Sequence, residues 1–144
     1  RLVILGEGRE RGRLEALAAE LGISEDVRLP GFEPNPYRWM SRADAFALTS
    51  LREGSGAVLV EALACGTPAT STDCPVGPAE ILQEGRVGPL APVGDDAAVA
   101  ANLAELLDRP PSPESMAAAV EPFRAYRSAL RYLRALGVAD EIPS

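Results

Sequence analysis

Ala45-Phe46-Ala47-Leu48-Thr49 is followed by Ser50-Leu51-Arg52-Glu53-Gly54-Ser55-Gly56, then Ala57-Val58-Leu59-Val60-Glu61-Ala62-Leu63-Ala64-Cys65-Gly66, then Thr67-Pro68-Ala69-Thr70-Ser71-Thr72. The first run is short, apolar and reads as a strand. The third is ten residues long with one charge, ends at a glycine and reads as a helix. Pro68 to Thr72 reads as a second strand. Strand, glycine-bearing turn, helix and strand together make one unit of a parallel sheet.

The same alternation continues in both directions. Upstream, Leu2-Val3-Ile4-Leu5 reads as a buried strand that ends at Gly6-Glu7-Gly8. Leu14, Leu17, Ala18 and Leu21 repeat at helical spacing, with Gly22 at the C-terminal stop. Val27-Arg28-Leu29 is the next strand, closed by Pro30-Gly31, and Pro36 opens a short helix through Met40. Downstream, Gly77 to Gln83 is a short helix and Leu90 to Val93 a short strand. Asp95 caps a helix that turns Leu103, Leu106 and Leu107 inward. Ser112-Pro113-Glu114 starts another helix, and a last one covers Pro122 to Leu136. The expected fold is α/β, a Rossmann-like parallel sheet with helices on both faces, in which ligands sit at the carboxyl ends of the strands. The chain starts within a strand, so the sequence reads as a fragment that lacks a first strand–helix unit.

At 47% hydrophobic residues the 144-residue chain is globular, yet no apolar run reaches the ~20 residues of a membrane span. The net charge of −7 argues against nucleic acid, whose phosphates demand cationic stripes. Arginines do cluster at Arg9, Arg11 and Arg13, and at Arg124, Arg127, Arg131 and Arg134, where they read as solvated helix faces. With no histidine, and with Cys65 and Cys74 at no zinc-finger spacing, a zinc site and a histidine-based triad are excluded. The cysteines read as packed free thiols in a cytoplasmic protein.

Two carboxylates carry the chemistry. The helix Ala57 to Cys65 is apolar all round except for Glu61, so it is expected to be buried, and a buried carboxylate needs an arginine, backbone N–H groups or ligand hydroxyls. Glu53 precedes the helix and is expected to face the cleft. Between them Gly54-Ser55-Gly56 lets a ligand approach the first helical N–H groups, which with the helix dipole form an anion site. The arrangement reads as a diphosphate cradle with a carboxylate at each end, each able to accept hydrogen bonds from paired sugar hydroxyls.

Glu53 and Glu61, with seven residues between them, followed by Ala62-Leu63-Ala64-Cys65-Gly66-Thr67-Pro68, resemble the C-terminal domain of GT4-type retaining glycosyltransferases of the GT-B fold. Gly6-Glu7-Gly8, Val27-Arg28-Leu29-Pro30-Gly31-Phe32, Asn35-Pro36-Tyr37, Ala43-Asp44, Gly77-Pro78-Ala79-Glu80 and Gly88-Pro89-Leu90 are similar to the family in the same order. The resemblance implies that Glu61 holds the ribose hydroxyls of a nucleotide sugar and that Glu53 faces the transferred sugar as the catalytic-site carboxylate. It implies phosphate contacts from Gly54, Ser55, Gly56, Ala57 and Val58, base contacts from Gly31 and Phe32, and Gly6 and Gly8 lining the same cleft. Ser55 departs from the family pattern, which has a bulkier residue there, and so bears on the fit of the sugar. The family's diphosphate-clamping arginine and lysine fall upstream of residue 1, with Arg52 the nearby cation.

The implied function is hexosyl transfer, with retention, from a UDP-sugar to a polysaccharide or lipid-linked acceptor. No metal and no other cofactor is expected. The acceptor attacks the face from which the diphosphate leaves, and the phosphate takes its proton, so no protein base is required. Residues 1–110 would bind the donor, with the helices of 111–144 packed on them. The acceptor would be held by an N-terminal domain, and the full-length enzyme would be cytoplasmic, peripheral to the inner face of the membrane. This stretch alone is expected not to transfer sugar and to bind nucleotide weakly. The alternatives are a non-catalytic nucleotide-binding domain and a GT-B epimerase or phosphorylase. A dinucleotide-binding Rossmann domain fails because Gly6-Glu7-Gly8-Arg9-Glu10-Arg11 lacks the third glycine.

Overall fold

The computed structural model describes residues 1–138; residues 139–144, the end of the 111–144 segment, lie outside the described residues. The chain divides into two compact units, Arg1–Trp39 and the part from Met40 onward. Each carries its own parallel ladder, where the sequence suggested one sheet.

In the first unit, β1 (Leu2–Leu5) pairs with β2 (Val27–Gly31), with Leu2 opposite Val27. Between them lie α1 (Arg11–Glu20) and a 3-10 turn, Ser24–Asp26. The amides of Gly22 and Ile23 bond back to the carbonyls of Ala19 and Ala18, a Schellman ending that needs Gly22 in the left-handed region at φ +69°. The expected buried strand is not buried: Leu2 and Val3 are exposed, as are Leu17 and Leu21 of the helix stripe. An apolar run reports what a strand can bury, whereas burial depends on what covers it. Here β2 is the strand paired with β1, and Ala18 is the residue α1 buries.

The second unit follows the short helix α2 (Tyr37–Met40). Its sheet runs β3 (Phe46–Leu48), β4 (Ala69–Thr72), β5 (Leu90–Ala91), all parallel, with β4 central and buried at every position. The helices are α3 (Ala57–Ala64), α4 (Pro78–Ile81), α5 (Asp96–Asp108), α6 (Pro113–Val120) and α7 (Ala125–Ala135). Leu59, Leu63, Ala69, Ile81, Leu82, Val87, Met116 and Ala119 form the core, joining α3, β4, α4 and α6. Asp95 and Ser112 cap α5 and α6 as their residue types demand, each side chain accepting an N–H three residues on.

Three expectations need correction. Helix α3 is not buried all round: Leu59, Ala62 and Leu63 are buried, Val58, Val60 and Glu61 half-buried, and Ala57 and Ala64 exposed. On α5, Leu106 points inward whereas Leu107, one residue or 100° further round, is 60% exposed. The last helix, expected from Pro122, starts at Ala125. Pro122 has no N–H for the carbonyl four residues back, so α6 ends at Val120. A 3-10 turn follows at Glu121–Phe123, and Arg124 is extended at ψ 139° before α7 starts.

Leu59 has no exposed surface and lies in the centre of this core. Leu59→Ala is expected to destabilise the second unit by about 2–5 kcal/mol, from lost apolar burial plus the cavity left behind. Denaturant unfolding followed by circular dichroism measures it.

Candidate functional site

Glu53 and Glu61 both belong to the second unit and bracket the N-terminus of α3. Gly56 is the N-cap, buried and left-handed at φ +67°, and no side chain caps the helix. Gly54, Ser55 and Ala57 are exposed. The N-terminus of α3 is thus an open helix start with small, accessible residues around it. At 1.5 Å per residue, Glu61 stands about 7 Å along the helix from Gly56.

Glu53 is half-buried, and the Ser50 hydroxyl donates to its Oε1 at 2.6 Å. Ser50 is held in turn, since its carbonyl accepts the Thr72 hydroxyl at 2.6 Å. Alongside it the Ser71 hydroxyl donates to the Leu48 carbonyl at 3.1 Å. On the other flank Thr70 donates to the Pro89 carbonyl at 2.7 Å and accepts from Asn102 Nδ2 at 3.2 Å. The hydroxyls of β4 are thus spent on neighbouring backbone, and one of them fixes the residue that orients Glu53. Sequence reading took Ala69-Thr70-Ser71-Thr72 only as a strand. The signal for more was three hydroxyl residues in a row on one strand.

Gly77 was read as a helix start only. It sits at φ +105°, and a Cβ there would collide with the Ser55 carbonyl and crowd the Gly56 amide. The Val76-Gly77 backbone is thereby packed onto the cradle. Val76 itself is left-handed at φ +68°, which costs a β-branched residue about 1–3 kcal/mol and is the kind of strain that collects at functional sites.

In the first unit, Gly6 and Gly8 follow β1, while Gly31 ends β2 with Phe32 next to it. The Gly6 amide donates to the Gly31 carbonyl at 2.8 Å, so these turns are joined at the carboxyl end of the β1–β2 ladder. Phe32 is 79% exposed. Glu7, between the two glycines, is gripped by Arg11 through two bonds, Nη2 to Oε1 at 2.6 Å and Nε to Oε2 at 2.9 Å. Those hydrogen bonds hold the Glu7 carboxyl below its ordinary pKa and push the guanidinium above its own. Arg11 also donates to the Leu29 carbonyl at 2.9 Å, so it ties the loop to β2 and is not the plain solvated cation expected. Arg9 and Arg13 are, with side chains 95% and 85% exposed. Further along, Glu33 accepts from Trp39 Nε1 at 2.9 Å and Arg38 Nη2 at 2.7 Å, which lowers its pKa.

A cavity of about 420 Å³ lies between α3 and α6, lined by Val60, Leu63, Met116, Val120, Phe123 and Arg124, and by neither glutamate. Among the described residues no group of three His, Cys, Asp or Glu side chains is placed to hold a metal ion. Cys65 and Cys74 are free thiols, half-buried and buried. No described helix is long and apolar enough to cross a membrane.

The family model described as "Glycosyl transferases group 1" matches residues 1–121. An N-acetylgalactosamine-N,N'-diacetylbacillosaminyl-diphospho-undecaprenol 4-alpha-N-acetylgalactosaminyltransferase of Campylobacter jejuni is 34% identical over 140 residues, covering 92% of this chain and 38% of that protein. The lipopolysaccharide 1,6-galactosyltransferase of Escherichia coli is 35% identical over 99 residues, 66% of this chain and 28% of that protein. The chain thus spans well under half the length of these relatives. Among solved structures, the lipopolysaccharide outer core galactosyltransferase WaaB in its apo form superposes with a TM-score of 0.85 at 25% identity, over 94% of this chain and 40% of that one. The α/β fold with parallel sheets is Rossmann-like, of the kind typical of GT-B glycosyltransferases.

Proposed function

The chain belongs to the glycosyl transferases group 1 family, and from that premise we propose that it is the C-terminal, donor-binding half of a retaining GT-B enzyme that transfers a hexosyl group from a UDP-sugar. The observation that carries the reading is the uncapped N-terminus of α3, with small exposed residues around it and a glutamate on either side. The diphosphate would lie against the amides of Gly54 to Val58, where the helix dipole favours negative charge. Glu61 would accept from the ribose hydroxyls, and Glu53, oriented by Ser50, would accept from hydroxyls of the transferred sugar. Preorganised donors at the leaving diphosphate supply electrostatic stabilisation as the glycosidic bond breaks. With the phosphate as proton acceptor, the site needs no histidine, and the sequence has none.

Residues 1–110 are proposed to form the donor-binding part, with α6 and α7 as accompanying helices. Gly6, Gly8, Gly31 and Phe32 are assigned to the donor, the last two to its base, on the family pattern. The Campylobacter relative's name describes transfer to a diphospho-undecaprenol-linked sugar, and the Escherichia coli relative's describes transfer in lipopolysaccharide. Both support a polysaccharide or lipid-linked acceptor for the whole protein.

Saturation-transfer NMR with millimolar UDP and, separately, GDP tests the donor assignment. Transfer to the ribose protons of UDP, stronger than to those of GDP, is the expected outcome. No transfer from either nucleotide would contradict it.

A further inference from the structure

We propose that Thr72, buried beneath the site, is a positioning residue that sets how tightly the transferred sugar is held, acting through Ser50 on Glu53. The proposal rests on the donor-site reading above, and it separates recognition of the sugar from recognition of the nucleotide.

The β3–β4 ladder pairs Phe46, Ala47 and Leu48 with Ala69, Thr70 and Ser71, and β3 stops at Leu48. Ser50 lies beyond that end, outside the strand. The amides of Ser71 and Asp73 face away from it, onto the carbonyls of Pro89 and Ala91 at 3.4 and 2.7 Å. Past Leu48 the donor is instead the Thr72 hydroxyl, which meets the Ser50 carbonyl at 2.6 Å. A side chain thereby continues the ladder into the segment that leads to Glu53.

Ser50, so held, donates its own hydroxyl to Oε1 of Glu53 at 2.6 Å. Both contacts have the length of well-formed O–H···O bonds. Among the described residues Ser50 is the hydrogen-bond partner of Glu53, so Oε2 is left to accept from a ligand hydroxyl. A carboxylate gripped by one oxygen presents the other in a set direction. Its orientation is fixed before the sugar arrives, so less freedom is lost on binding. Thr72 itself is 3% exposed, so it acts on a ligand only through what it holds. A valine has nearly the same shape and would serve a buried strand without a hydroxyl to satisfy. The nucleotide assignments, Gly54 to Val58 and Glu61, lie outside this chain of hydrogen bonds.

NMR titration of the chain with UDP, and with UDP-glucose, UDP-galactose and their 2-N-acetyl forms, tests this; the tightest binder among the sugars is the probe. Thr72→Val and Ser50→Ala are each expected to weaken the UDP-sugar about 3- to 10-fold, the range a lost hydrogen bond gives, and to leave UDP affinity unchanged. Ser50→Ala probes the same chain without altering β4. Thr72→Ser, which keeps the hydroxyl, should bind as the wild type does. Thr70→Val is the control: it removes a buried hydroxyl of the same strand that bonds Pro89 and Asn102 on the other flank, and the UDP-sugar should hold its affinity relative to UDP. In a Glu53→Ala background, neither Thr72→Val nor Ser50→Ala should cause further loss. The proposal is overturned if folded Thr72→Val and Ser50→Ala bind the UDP-sugar as the wild type does, or lose UDP to the same degree, as general loosening of the fold would give. Loss that persists in the Glu53→Ala background would also overturn it, as would a wild-type chain that binds UDP and none of the UDP-sugars. Failure of the donor-site reading looks different: the wild-type chain would bind neither, and the proposal would fall with it.

Discussion

Glu61→Ala is expected to weaken UDP binding by about 10- to 100-fold without unfolding the chain. A hydrogen bond to a charged group contributes about 1.5–3 kcal/mol, and each 1.4 kcal/mol is tenfold in affinity. A carboxylate that accepts from two adjacent ribose hydroxyls therefore reaches this range even if solvent offsets part of it. Glu61 is half-buried on α3, away from the Leu59–Leu63 contact with the core, so its removal opens no core cavity. Glu61→Gln, which keeps one acceptor oxygen and loses the charge, should lie between wild type and alanine. Isothermal titration with UDP, alongside thermal unfolding of each variant, separates loss of binding from loss of fold. An unchanged affinity in a folded Glu61→Ala would take the ribose away from this residue.

Gly77→Ala should have the largest effect on stability of any single methyl added near the cradle. The added Cβ would enter the Ser55 carbonyl, which is backbone and cannot rotate away, and φ +105° is a conformation that alanine rarely adopts. Clash and backbone strain together are expected to cost about 3 kcal/mol or more. The same displacement would push Ser55 and Gly56 out of register with the start of α3, so UDP binding should fall even where the chain remains folded. Gly85→Ala is the comparison. Gly85 is also left-handed, at φ +86°, but nothing lies within 4 Å of the added atom, so it carries the strain without the clash. Equal destabilisation of the two variants in urea would refute the packing of Gly77 on the cradle.

Much of the fold was legible because its signals are local. Gly22 ends α1, Asp95 and Ser112 cap α5 and α6, and Gly56 and Gly66 flank α3. Those choices are made within a few residues of chain. What was not legible depends on distant partners. The apolar run Leu2–Leu5 looks buried in sequence and is largely open, because nothing local states which surface will cover it. Leu106 and Leu107 are equally apolar, and only the sheet beneath α5 distinguishes them. Pro122 marked the boundary before the last helix, but its suitability for a first helical position suggested that this helix starts there and not at Ala125.

The site divides in the same way. The spacing of Glu53 and Glu61 and the small residues between them are sequence features, and the structure places them around one helix start. The support beneath them was hidden. Thr72 reaches Ser50 across 22 residues, and Gly77 meets Ser55 across a similar interval. Such pairings are set by strand register, since β4 lies beside β3 with Ser71 opposite Leu48.

The most direct measurement is a backbone-amide chemical-shift map of the isotope-labelled chain as a UDP-hexose is added. The account predicts that the largest shifts fall on Gly54 to Val58, with Glu61 and Gly77 following, and that UDP alone reproduces those at the helix start. Shifts confined to the apolar cavity between α3 and α6, or a site elsewhere that leaves Gly54 to Val58 unmoved, would contradict the donor-site assignment.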